Sequence, residues 1–500
     1  MAVQKNAAVK DYGLFINGEW VPSESGKWFE TKNPTTGEVL ARFPKGTRND
    51  VVRAIDAAEA ALPAWKKTPP PKRGLILLRA AQIMRERKDE LGAIVTKEMG
   101  KVIAEGKGDV QEAIDFLEYI AGEGRRLLGE TTPSELPSKF CMTVRQPIGV
   151  VGCITPWNFP TAIPIWKIGA ALISGNTIVF KPASLTPLCV ASLAEIFDEA
   201  GLPAGVLNVV TGGGGTVGME IVENPRVKAI SFTGGVPAGK TIYEAAARQL
   251  KPVELELGGK NPQIVMPDAN LDLALEGLMF GAFGTAGQRC TATSRLILHE
   301  DVYDTFMKRL VERTEALVQG DPLDPRTDIG PVADAAGGQS IMEYITIGKQ
   351  EATLITGGER LTGGMYDNGF FIKPTIFATE HGTRISVEEI FGPVLSVIKV
   401  GSFEEAVRVA NDVEYGLSSS IYTKDVNLAF RAVEELETGI TYINAPTIGA
   451  EVHLPFGGTK HTGNGGREAG TSAIDEFTEI KTVFVDYSNS LQKAQIEDEK

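Results

Sequence analysis

Cys290, in the stretch Gly287-Gln288-Arg289-Cys290-Thr291, is a thiol set among small and polar residues. A thiol becomes a nucleophile when cations or oriented backbone N–H groups favour its thiolate, and Arg289 is a candidate source of such a field. The alternative is a small buried hydrophobe, the usual state of a free cysteine. Glu254 and Glu256, in Glu254-Leu255-Glu256-Leu257-Gly258-Gly259-Lys260-Asn261, fall on one side of a strand by alternation. Burial there would raise a carboxyl pKa toward general-base work, whereas an exposed strand end would leave ordinary charges. Glu388-Glu389-Ile390-Phe391-Gly392-Pro393 reads locally as a charged loop.

Two glycine-rich stretches compete as phosphate loops. Gly213-Gly214-Gly215-Thr216-Val217-Gly218 has GxGxxG spacing, and Gly234-Gly235-Val236-Pro237-Ala238-Gly239-Lys240-Thr241 fits GxxxxGK[ST]. Taken literally, the second belongs to a nucleoside triphosphatase. That loop works by aiming successive N–H groups at phosphates, and Pro237 has none to give. Its metal-binding aspartate is also poorly supplied by Ile264-Val265-Met266-Pro267-Asp268, where proline breaks the strand. A helix N-terminus after glycines still suits a pyrophosphate, against the alternative of a simple tight turn.

The elements that must position these groups follow from length and pattern. A chain of 500 residues exceeds what one core supports, so two or more domains are expected. Hydrophobic residues at 43% and charged residues at 23% describe an ordinary globular protein. A net charge of -14 without a basic run disfavours nucleic acid as a partner. Met1 to Gly13 lacks the apolar core of a signal peptide, and the uncharged run Gln146 to Trp166 is interrupted by four prolines, so no membrane partner is expected. Four cysteines without a CxxC pair suit a reducing cytoplasm, and four scattered histidines offer no metal spacing.

Asn17-Gly18 between β-prone residues predicts a hairpin. Residues 49–128 read as successive helices, and 132–144, with Pro133 and Pro137, as an extended arm. From Gly149, apolar strand candidates at 150–154, 177–180, 206–210, 228–232 and 252–255 alternate with helices, which predicts a parallel sheet covered on both faces. Such sheets bind ligands beyond their strand C-termini, where Pro156-Trp157-Asn158, Lys181-Pro182-Ala183-Ser184 and the glycine runs stand. A second alternation from about Leu271 to Asn444 predicts a second α/β domain carrying Cys290, and Phe477 to Tyr487 is a strand that could join the arm.

Trp157-Asn158-Phe159-Pro160, Lys181-Pro182-Ala183-Ser184, Phe232-Thr233-Gly234-Gly235, Glu256-Leu257-Gly258-Gly259-Lys260, Gly287-Gln288-Arg289-Cys290 and Glu389-Ile390-Phe391-Gly392-Pro393 occur in the order found in NAD(P)-dependent aldehyde dehydrogenases, and the chain resembles that family from about Tyr12 to Tyr487. One departure is Gly235, where many members have a serine near the pyrophosphate. The resemblance implies an α/β fold with a Rossmann-like cofactor domain (1–130 and 149–257), a second α/β catalytic domain (258–460) and a small oligomerisation sheet (131–148 and 475–490) that builds homodimers or homotetramers. It implies that Cys290 attacks an aldehyde carbon, that Asn158 and the Cys290 N–H hold the oxyanion, an effect worth ~3–4 kcal/mol, and that Glu256 activates the water that hydrolyses the thioester.

Lys181 is counted in the catalytic set and, with Glu389, as a holder of the cofactor riboses. Ile154, Pro156, Trp157, Ser184, Gly215, Phe232, Gly234, Gly235 and Phe391 complete the implied cofactor contacts, for NADP preferentially and NAD as well. Phe159, Phe456 and Arg289 are the implied substrate contacts, and no metal is implied. The loop Thr447 to Gly458 looks like that of 2-oxoglutarate semialdehyde dehydrogenases, so a carboxylated semialdehyde is the expected substrate, with Arg289 either meeting its distal carboxylate or pointing away into a structural ion pair. The alternatives are an enzyme broad across aliphatic and aromatic aldehydes, a coenzyme-A-acylating relative, and a non-catalytic binding protein on the same scaffold.

Overall fold

A computed structural model describes residues 9–496; the first eight residues, where the stretch examined for a leader begins, and the last four of the charged tail lie outside the described residues. The sheet nearest the predicted phosphate loops has seven strands in the order Val253–Glu256, Val227–Thr233, Val150–Ile154, Thr177–Lys181, Leu207–Val209, Leu14–Ile16 and Glu19–Val21. The first five are parallel. They coincide with the five mainly apolar runs, as expected of strands covered on both faces. The last two form the Asn17-Gly18 hairpin, with φ of 57° and 78° at the two turn residues. The order of the five parallel strands reverses between Val150–Ile154 and Val227–Thr233, and there the ends of two neighbouring strands open a crevice.

The second sheet also has seven strands, ordered Thr353–Thr356, Thr375–Ala378, Val394–Val400, Thr293–His299, Asn261–Val265, Ser418–Tyr422 and Ile440–Ile443, parallel except for the first pair. Asn261–Val265 is a central strand despite Pro267, because it ends before that proline. Asp268 there anchors a turn by accepting from Thr423, Lys424 and Asp425. Ser418–Tyr422, Ser-Ser-Ser-Ile-Tyr, is wholly buried, and its serine hydroxyls bond to Thr447 O and Ala445 O. Thr131–Pro133, Lys139–Pro147 and Thr478–Asp486 pair into a three-stranded antiparallel sheet, the expected union of arm and C-terminal strand.

Four helices, Arg48–Trp65, Pro70–Glu86, Lys88–Met99 and Ile103–Glu123, follow the N-terminal strands. The last three pack with Ala162–Ser174 into a core that includes Phe116, Trp166 and Phe456. Among the described residues no helix is long and apolar enough to cross a membrane. The uncharged run near Gln146 instead divides into the strand Val150–Ile154 and the helix Ala162–Ser174.

Candidate active site

The Cys290 loop is held in a conformation few sequences adopt. Thr285, Ala286 and Gly287 all have positive φ, at 53°, 53° and 70°. At Gly287 a Cβ would lie 2.2 Å from Gly392 O, so only glycine fits. Gln288 ties the loop down by donating to Thr285 O and accepting from Ala333 N. The Asn261 amide donates to Cys290 O (2.7 Å) and Ala292 O (2.9 Å) and fixes the loop to the first residue of a central strand. Asn158 is buried and donates to Gln288 O at 3.2 Å, which brings the sequence-predicted amide to the thiol loop.

The electrostatics of the thiol run opposite to the sequence expectation. Cys290 is half-buried, and burial together with the Glu256 and Glu389 carboxyls pushes its pKa up to about 12. Arg289 does not act as a free cation. Its Nη2 donates to Glu105 (2.7 Å), its Nε donates to Thr285 Oγ1 (3.0 Å), and the guanidinium packs on the Phe280 and Phe159 rings. Glu105, on the helix Ile103–Glu123, also accepts from Thr285 N. The pair was invisible in sequence because its partners lie 184 residues apart. The thiol of the folded chain therefore holds its proton more tightly than a free cysteine.

Glu256 ends the strand Val253–Glu256 at 2% exposure, and both its oxygens lack a protein partner. Its carboxyl rests against Gly457, where φ is 151° and a Cβ would stand 2.3 Å from Oε1. Burial, with Glu254 and Glu468 beside it, holds the Glu256 proton well above the usual carboxylate range, partly offset by Lys167 and Arg467. Glu254 is buried too, as alternation required, and accepts from Ser231 (2.6 Å) and Lys167 (3.3 Å). Lys167 also pairs with Glu468. Burial works against its charge, but Glu254 and Glu468 hold it above the ordinary lysine range. Burial pushes Glu468 up to about 7 and raises Glu476 further. One ammonium thus serves two buried carboxyls, Glu254 and Glu468, next to the candidate base. Lys167, Glu468 and Glu476 were not singled out from sequence, since nothing local marks them.

A cleft of about 690 Å³ opens at the crevice between Val150–Ile154 and Val227–Thr233 and reaches Cys290. Its lining includes Ile154, Pro156, Trp157, Lys181, Gly215, Phe232, Gly234, Gly235, Glu389 and Phe391, so ten of the eleven expected cofactor residues meet in one place. Ser184 does not line it. That side chain is exposed beside the rim, with a long 3.4 Å bond to Gly212 O. Lys181 is buried, which lowers its amine to about 8, and it donates to Pro182 O. Glu389 lies flat on Gly258 and accepts from Gly259 N (2.9 Å), while Glu388 next to it turns out to Arg384 and Tyr344. Phe391 meets the Trp157 ring edge-on at 5.5 Å.

Open space over Gly214 and Gly215, a twelve-residue helix starting after Gly235 and a carboxyl at the far end together fit a dinucleotide. On the other side of the thiol, Phe159 lies under Lys101 Nζ (3.7 Å), and Phe456, 8% exposed, packs edge-on against Trp166 as part of the apolar wall that Cys290 also touches.

A model of the aldehyde dehydrogenase family matches residues 20–483. The chain is 46% identical over 478 residues, 95% of its length and 98% of the relative's, to an alpha-ketoglutaric semialdehyde dehydrogenase of Bacillus subtilis (strain 168). Among solved structures it is similar to an NADP dependent enzyme of E. coli (TM-score 0.92, 39% identity, 95% of this chain and 98% of that one). It is also similar to an NAD-dependent aldehyde dehydrogenase of Sinorhizobium meliloti (TM-score 0.94, 37% identity, 98% and 99%).

Proposed function

Because this chain belongs to the aldehyde dehydrogenase family, we propose that it oxidises a semialdehyde bearing a carboxylate to the corresponding diacid through a thioester on Cys290. The observation that carries the chemistry is the meeting of three groups from three places in the chain: the Cys290 thiol, the Asn158 amide on its loop and the buried Glu256. The thiol gives up its proton to solvent as its sulfur bonds to the aldehyde carbon, and the Asn158 amide with the Cys290 N–H steadies the oxygen that takes up the charge. A nicotinamide cofactor bound in the cleft would supply the acceptor for the hydride. Lys181 and Glu389 would hold its two riboses, and Trp157 and Phe391 would pack beside the ring end. Glu256 then takes a proton from water as the water attacks the thioester, the C–S bond breaks, and the departing Cys290 sulfur regains a proton.

The substrate reading rests on the relative from Bacillus subtilis and on Arg289. Glu105 and Thr285 occupy Nη2 and Nε, which leaves Nη1 for a distal carboxylate. Because Glu105 offsets its charge, the expected preference over an aliphatic aldehyde of equal length is moderate, on the order of 10- to 100-fold in kcat/KM. An aldehyde panel measures it, and a higher kcat/KM for the uncharged aldehydes would overturn the reading.

NADP is the preferred cofactor in this reading, with NAD accepted. Ser184 sits at the rim three residues beyond Lys181, neutral and able to donate to a 2′-phosphate, whereas an acidic residue there would repel it. Ser184→Glu is expected to lower kcat/KM for NADP at least about tenfold, or ~1.4 kcal/mol, and to change that for NAD much less. A wild type that strongly rejects NADP would exclude Ser184 as the selector.

We assign the residues up to 130 and 149–257 to the cofactor domain, 258–460 to the catalytic domain, and 131–148 with 475–490 to an oligomerisation arm. The arm exposes Phe140, Ile480, Phe484 and Val485, and Ile440–Ile443 is an open sheet edge, both of which a second copy would cover in a homodimer or homotetramer. Cys141, Cys153 and Cys189 are buried free thiols, in keeping with a reducing cytoplasm.

A further inference from the structure

Two loops meet at the thiol, and one helix holds both of them. Thr285 and Ala286, which lead to Cys290, each have a φ of 53°, a conformation that residues other than glycine avoid unless their neighbours impose it. Glu105, in the first turn of the helix Ile103–Glu123, is such a neighbour. Both of its carboxylate oxygens accept from Thr285 N at 3.0 Å, and Oε1 also accepts from Arg289 Nη2 at 2.7 Å, one residue before the thiol. A Cβ on Gly284 would stand 2.9 Å from that same Oε1, so the loop passes the carboxylate in close contact. One turn further along the helix, Asp109 is 1% exposed and accepts at 2.7 Å from the N–H of Ala162, the first residue of the helix Ala162–Ser174. Asn158 stands just before that helix. Lys101 lies 3.4 Å from Asp109 and covers the ring of Phe159, the residue after Asn158. Asn158 itself donates to Gln288 O at 3.2 Å, so the two loops already touch.

We propose that Glu105 is a positioning residue for the attack on the aldehyde: from a helix that also fixes the Asn158 loop through Asp109, its carboxylate sets the Cys290 sulfur and N–H against the Asn158 amide. The proposal rests on the reading of Cys290 as nucleophile and Asn158 as oxyanion donor. An ion pair with Arg289 alone would leave the carboxylate free to turn. The bonds to Thr285 N remove that freedom and tie it to the backbone of the loop, with the added strength of a charged acceptor. Asn261 ties the same loop to the second sheet, whereas Glu105 ties it to the helix on which the Asn158 loop is held. The relative placing of sulfur and amide therefore passes through Glu105. That placing has a narrow tolerance, because a donor steadies an oxyanion only within about 2.7–3.1 Å, and a displacement of about 1 Å costs on the order of 10²-fold in rate.

The test is a double-mutant cycle between Glu105 and Asn158, read as the rate of nicotinamide reduction in the first turnover with propanal and saturating NAD. Propanal carries no carboxylate, so Arg289 as a substrate contact does not enter the result. Glu105→Ala should slow the first turnover by about 10²-fold and leave the Kd for NAD, read by the fluorescence of Trp157 in the cleft, within about twofold of wild type. Glu105→Gln keeps an acceptor for Thr285 N without the charge for Arg289, and should lose roughly 3- to 10-fold. In the Asn158→Ala background, where the amide to be aligned is gone, Glu105→Ala should cost at least about tenfold less than in the wild type. A purely structural role predicts the same cost in both backgrounds. Circular dichroism establishes that each variant is folded, and Glu105→Gln carries the cycle if Glu105→Ala does not fold. Equal costs in the two backgrounds, or a wild-type first turnover in the folded Glu105 variants, overturns the proposal. A wild-type first turnover in Asn158→Ala alone instead overturns the reading of Asn158 beneath it.

Discussion

Cys290→Ser is expected to lower aldehyde oxidation by on the order of 10⁴-fold or more, with the affinity for NAD(P) intact. The size of the loss follows from the charges around the loop. Burial, Glu256 and Glu389 already hold the thiol proton at about 12, and the one neighbouring guanidinium is neutralised by Glu105. A hydroxyl, which is intrinsically far harder to ionise, finds nothing there to help it. Cofactor contacts should survive, because the cleft is lined mainly by the ends of the first sheet's strands, and the Asn261 clamp on the loop acts through backbone carbonyls that serine retains. Steady-state rates together with cofactor binding by fluorescence decide it, and substantial residual oxidation in the variant would remove Cys290 from the role.

Glu256→Gln should leave the first turnover and stall the second. Hydride would leave in a burst equal to the active sites, followed by turnover slowed by about 10²- to 10⁴-fold, with the acyl group trapped on Cys290 and visible by mass spectrometry. In the wild type, acid release should accelerate as pH rises, because burial, Glu254 and Glu468 hold the Glu256 proton above the usual range and the base works only once it is lost. The amide has no such titration, so its residual rate should be flat over the same interval. Disappearance of the burst with cofactor still bound would place Glu256 at an earlier step.

What was legible in sequence is what neighbouring residues determine. The five apolar runs became the five parallel strands because two-sided burial favours apolar side chains, and Asn17-Gly18 became a turn because both positions need positive φ. Six local motifs, read together, brought Cys290, Asn158 and Glu256 into one site. Pairing at long range was not legible. For Arg289 an ion pair was one alternative, but its partner could not be named because Glu105 stands 184 residues away, and Lys167 attracted no notice because Glu468 stands 301 residues away. Ser418–Tyr422 escaped because its serines satisfy their hydroxyls inside the core, so a central strand carries the composition of a loop. Ser184 was placed near the cofactor by sequence proximity, but the chain turns it outward at the rim.

The segment 456–468 returns to the first sheet, where Leu257 N donates to Thr462 O, Gly457 backs Glu256, and Glu468 reaches Lys167. On the ribosome this gives the chain a period of chemical vulnerability. Glu468 is made some 178 residues after Cys290, roughly 9 to 36 s later at ordinary elongation rates. Until it docks, the thiol lacks part of the burial and carboxyl field that raise its proton affinity in the folded chain. Damage by oxidants and electrophiles should therefore fall on nascent and partly unfolded chains, and the finished protein shelters Cys290 for as long as its last turns stay in place.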